Sequence, residues 1–99
     1  MRMMMRVRIP AARGSEGIRD GSLARALEAT AESVKPEAAY YILENGHRAA
    51  LFVFDLPDQA QIPLIVGPLF QACDAHIELT PCMTPEEMLS GVAKVVSGA

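Results

Sequence analysis

The chain has 99 residues, 51% of them apolar, and 9 basic side chains against 12 acidic ones for a net charge of −3. That length suits one domain rather than two, so a single domain over residues 1–99 is expected. With no Lys/Arg run beyond the dispersed arginines at the start, nucleic acid is not an expected partner. No stretch approaches the roughly 18 apolar residues of a membrane span.

Residues 2–9 alternate: Met3, Met5, Val7 and Ile9 share one face, and Arg2, Met4, Arg6 and Arg8 the other. That period of two predicts a strand with one apolar face. The arginines also interrupt any signal-like apolar run, and a cytoplasmic protein is expected. Pro10 and Gly14 are expected to bracket an exit loop. A short turn at Ser15–Arg19 is then broken by Asp20-Gly21-Ser22. From Ser22, an expected N-cap, Leu23, Leu27, Thr30 and Val34 recur at helical spacing, and Lys35-Pro36 ends the helix because a residue before proline is pushed out of the α region.

Ala38 to Glu44 and Ala49 to Asp55 read as two strands joined at Asn45-Gly46, a short hairpin signal. The second of these is apolar on both faces, as in a central strand covered on both sides. A helix over about 59–72 follows Asp58. Pro63 suits its first turn, and Pro68 predicts a kink or break. Ala75 to Cys82 alternates again, with Ile77 and Leu79 on one face and His76, Glu78 and Thr80 on the other. Thr84-Pro85-Glu86-Glu87 then opens a last helix whose apolar face is Met88, Leu89, Val92, Val95 and Val96.

The order β-α-β-β-α-β-α predicts a ferredoxin-like α+β fold with an added C-terminal helix. Right-handed crossovers give a four-stranded antiparallel sheet in the order 4-1-3-2, with its two crossover helices on one face. The other face is left bare by its own chain, and a second copy is the expected cover.

Four segments carry a resemblance: Val7-Arg8-Ile9-Pro10, Phe52-Val53-Phe54-Asp55, Pro68-Leu69-Phe70 and Ile77-Glu78-Leu79-Thr80-Pro81. With them the chain resembles the dimeric α+β barrel superfamily, and in pattern it looks most like muconolactone isomerases and related small proteins. The resemblance implies a homodimer or higher homo-oligomer in which the bare face lines a cleft. It implies no catalytic residue, because the matched positions are mostly apolar or turn residues and a shared fold does not carry function.

By parity, Arg6 and Arg8 on the first strand share the bare face with His76 and Glu78 on the fourth. Two arginines can hold a carboxylate through bidentate hydrogen bonds, and His76 or Glu78 can move a proton. Together they suit isomerisation or enolisation of a small organic acid or lactone. The plainer alternative pairs Arg6 or Arg8 with Glu78, in a dimer that binds a ligand without catalysis or merely assembles. Tyr40 and Tyr41 alternate, so one of them faces the cleft as a ligand-orienting hydroxyl or an interface aromatic. Asp55 is expected to cap the turn that follows it, and His47 to sit in solvent at the hairpin. No metal set or cofactor motif is present in the sequence. Cys73 and Cys82 are expected to be small, buried, reduced thiols, too few for a disulfide framework.

Overall fold

The computed structural model describes residues 1–98. Its elements run β1 (Arg2–Ile9), α1 (Ala11–Asp20), α2 (Ser22–Val34), β2 (Ala38–Glu44), β3 (His47–Asp55), a 3-10 turn (Gln59–Gln61), α3 (Ile62–Cys73), β4 (His76–Pro81) and α4 (Pro85–Val96). The four strands form one sheet in the order β2-β3-β1-β4, which is the expected order read from the other edge. β1 is antiparallel to both β3 and β4, and β2 to β3. Each helical crossover therefore spans one intervening strand. The result is an α+β domain with a four-stranded antiparallel sheet, consistent with a ferredoxin-like fold.

The core lies between the sheet and α2 and α3. Met5, Val7 and Phe52 are fully buried, Phe54 and Ile9 nearly so, with Leu23 and Val34 from α2 and Leu69 and Cys73 from α3 above them. The alternation in β1 decides this directly: its odd positions are buried and its even positions half-buried. Thr30 is the polar side chain in this layer, and its hydroxyl donates to the Ala26 carbonyl at 2.9 Å, so its burial leaves no orphan.

Local chemistry departs from the sequence reading at five places. The expected exit loop after Pro10 is helix: α1 begins at Ala11. The break between α1 and α2 is one residue wide. Gly21 takes it up at φ 79°, a left-handed conformation that ends α1 and opens α2. Ser22 is accordingly the first residue of α2 and not its cap; its backbone N–H donates to Asp20 at 2.8 Å. The Ser22 side chain first, and this backbone N–H second, hold the Asp20 carboxyl below its ordinary value. The elbow is tight, since a Cβ on Gly17 would stand 2.8 Å from Leu23 Cβ. Pro68 does not break α3, which runs unbroken from Ile62 to Cys73. Asp55 does not cap its turn; it accepts from the Met1 amino group at 2.9 Å. His47 is the first residue of β3, its Nδ1 3.1 Å from the Asn45 carbonyl oxygen.

The remaining ends follow ordinary helix chemistry. α2 and α3 close on Lys35 and Asp74, both left-handed near φ 50°, each backbone N–H donating back to a helix carbonyl. Arg13 of α1 reaches the open end of α3 and donates to the Gln71 and Ala72 carbonyls at 3.2 and 2.9 Å, a cation where a helix C-terminus favours one. No helix among the described residues is long and apolar enough to cross a membrane.

Candidate functional site

The strand registers fix the layout of the bare face. One row across the sheet runs Tyr40, Leu51, Arg6, Glu78, and the next runs Ile42, Ala49, Arg8, His76. A third row, towards the start of β1, holds Ala38, Val53, Met4 and Thr80. Arg6 and Glu78 are thus direct cross-strand neighbours, as are Arg8 and His76. The rows are about 7 Å apart along the strands and the strands about 4.8 Å apart, so one small molecule can touch all four side chains. The floor between them is apolar: Met4, Ile42, Leu51 and Val53.

The two tyrosines separate as their parity requires. Tyr40 is on this face, in the row of Arg6. Tyr41 pairs with Ala50 on the helix side, where its ring meets Phe52 edge-on at 6.3 Å between centroids. The face therefore carries five of the six expected residues: Arg6, Arg8, Tyr40, His76 and Glu78.

The arginines are not equivalent. The Arg6 guanidinium pairs with Glu44, two rows along on β2. The register places Ala49 midway between them on β3, and its small side chain leaves the crossing open. The cross-strand alternative, Arg6 or Arg8 with Glu78, is not formed. Arg8 and Glu78 have no ion-pair partner among the described residues. Glu44 Oε2 is buried without a hydrogen-bond partner, so this carboxylate retains an unused acceptor.

One charged residue of this face, Glu44, went unread in the sequence, and Arg2, which the alternation of β1 had placed there, is tied up by two carboxylates. Glu44 shares the parity of Tyr40 and Ile42, which was the signal available. Arg2 continues the series of Arg6 and Arg8. Its Nε donates to Glu37 at 2.9 Å and its Nη1 pairs with Glu87 in α4, which ties the last helix to the end of the sheet. The Glu87 carboxyl is held below its ordinary value, first by the Thr84 backbone N–H and then by Arg2.

The cysteines stand apart from this face. Cys73 is buried, its thiol donating to the Leu69 carbonyl at 3.2 Å, and burial pushes its pKa up, away from reactivity. Cys82 is only half-buried, contrary to expectation. Among the described residues no three His, Cys, Asp or Glu side chains gather as a metal site would need. No protein-family model matches the chain, and no curated protein matches it in sequence.

Proposed function

We propose that this protein is a homodimer joined through the bare sheet face, and that the joined faces enclose a site for a small organic anion. This is the arrangement the resemblance to the dimeric α+β barrel and the muconolactone isomerase-like proteins implies. Arg8 binds the anion's carboxylate, and His76 or Glu78 takes a proton from the carbon beside a carbonyl and returns it elsewhere, an isomerisation. Imidazole exchanges protons near neutral pH, and a carboxylate beside it can act as its partner base. Tyr40 borders the site in the Arg6 row. One observation carries the reading: Arg8 stands directly opposite His76, without an acidic partner among the described residues, on an uncovered face with an apolar floor.

A specific observation favours a second reading. Arg6 is neutralised by Glu44, and Arg2 by Glu37 and Glu87, so the chain satisfies two of the three arginines on this face by itself. A dimer that assembles without catalysing would be built in this way.

A thermal-shift screen against small carboxylates, lactones and phenols separates the two. A ligand at 100 times its Kd stabilises by about 2.7 kcal/mol. The enzyme or ligand-binding reading expects a concentration-dependent rise in Tm with one anionic class, lost in Arg8→Ala. A dimer with no shift for any compound supports assembly alone.

A further inference from the structure

The helix side of the sheet holds a second half-buried cation without a counter-charge. Arg2, Arg6, Arg8, Arg13 and Arg48 are all half-buried. Arg2, Arg6 and Arg13 each meet a carboxylate, and Arg8 belongs to the site on the bare face. Arg48 has no acidic partner among the described residues. A guanidinium drawn partly out of water is costly unless something supplies the opposite charge.

The fold holds this side chain in place. The strand registers set Arg48 of β3 in one row with Leu43 of β2 and Ile9 of β1, on the helix side. There α1 meets it at Gly14, where a Cβ would stand 3.0 Å from Arg48 Nη1 and 3.6 Å from its Cδ. The missing Cβ is what lets the guanidinium lie against the helix. A side chain so held has already lost much of the freedom that gripping a ligand would cost.

Beside Arg48 the sheet is uncovered. β2 is an edge strand, and on its helix side Tyr41 is 61% and Leu43 79% exposed. Between β2 and α2 lies a cleft of about 310 Å³ lined by Ile9, Leu23, Leu27, Tyr41, Leu43 and Arg48. Apart from the guanidinium and the Tyr41 hydroxyl these side chains are apolar. An apolar bed with a few orienting polar groups is the make-up of a small-molecule site, and this volume is at the small end of the roughly 300–1,000 Å³ that such sites span. One ring or a short branched chain fills it. Tyr41, held edge-on against Phe52, supplies an aromatic wall.

We propose that this cleft binds a small monocarboxylate with an apolar body, of the aryl carboxylate type. The carboxylate accepts from the forked N–H groups of Arg48, and the ring sits among Leu23, Leu27 and Tyr41. The cleft is across the sheet from Arg8 and His76, and joining two bare faces leaves it open. It therefore stands whether or not the chain dimerises.

The test titrates phenylacetate into the isotope-labelled full chain and into its Arg8→Ala variant, in which the anion site proposed on the bare face is disabled. In both, the amide resonances of Leu23, Leu27, Tyr41 and Arg48 should move together with one Kd, at millimolar phenylacetate or below. Arg48→Gln should weaken that Kd at least about tenfold, with the other resonances still those of the folded chain. Phenylacetamide has the same shape without the charge, and should bind the unaltered chain at least about tenfold more weakly. This comparison tests the charge even where Arg48→Gln fails to fold. No movement at those residues with millimolar phenylacetate, a Kd unmoved by Arg48→Gln, or equal binding of the amide overturns the cleft site. Movement confined to Arg8 and His76 and abolished by Arg8→Ala overturns it as well, and leaves the bare-face site standing.

Discussion

The two faces of the sheet are made from the same strands and treated oppositely. On the helix side, Met5, Val7 and Phe52 are sealed at 0% exposure under α2 and α3. On the bare side the same β1 presents Arg2, Met4, Arg6 and Arg8, all half-buried, beside an apolar floor. A face meant for water would carry charge throughout; a face meant for a core would carry none. The mixture of Leu51, Val53 and Ile42 with Arg2 and Arg6, both paired, suits a surface that another surface covers, because each buried charge needs a partner while the apolar floor gains from losing water.

That contrast can be broken from either side. Phe52→Ala opens a cavity under the helices and should cost about 3–5 kcal/mol in chemical denaturation, the largest effect anticipated here. Val53→Asp, on the bare side, should change the stability of an isolated chain by no more than about 1 kcal/mol. Sedimentation should nevertheless show the proposed dimer lost. Equal effects of the two substitutions on stability would mean that the faces do not differ as described.

Smaller effects sharpen the comparison at its margins. Thr84→Ala removes one cap bond from α4 and should cost about 1 kcal/mol, seen as faster amide exchange confined to residues 85–89. Glu44→Gln keeps the size of the side chain and removes the charge opposite Arg6. For so partly exposed a pair it should cost about 0.5 kcal/mol in stability. It should also strengthen binding of an anionic ligand, since Arg6 becomes available. The pH dependence of α4 is the mildest effect. Because the folded state holds the Glu87 carboxyl below its ordinary value, its stabilisation is complete above the ordinary carboxylate range. It is lost as pH falls through the lowered value. Exchange protection at the start of α4 should therefore decline in acid before the core does, and Glu87→Gln should flatten that decline.

Most of the sheet was legible in the sequence because its signal is local. The alternation of residues 2–9, Asn45-Gly46 between two apolar runs, and Thr84-Pro85-Glu86-Glu87 each specify an element through neighbouring residues. The pairing of Arg6 with Glu44 was not legible, because it joins strands 38 residues apart in the chain and needs the register of an intervening strand with a small residue at the crossing. The start of α1 was read as an exit loop, and Ser15–Arg19 as no more than a first turn, because Gly14 and Gly17 weaken its helical pattern. Both glycines are buried against neighbouring elements, so close packing had erased the apolar periodicity that would have revealed it. The continuity of α3 through Pro68 has a similar lesson: apolar burial of Leu69 and Cys73 outweighs one missing backbone donor. The site was legible in its residues and not in its charge balance.

One consequence of β2 concerns handling the protein rather than its architecture. Residues 38–43 read Ala-Ala-Tyr-Tyr-Ile-Leu, six positions with no charge and no proline, at the open edge of the sheet. Stretches of that composition at a free edge template further strands and seed fibrils. Dilution, heating or an interface substitution that leaves this edge bare should therefore bring on thioflavin-positive aggregation. Replacing Tyr40 with lysine should suppress it, so that the edge strand would determine the shelf life of the protein.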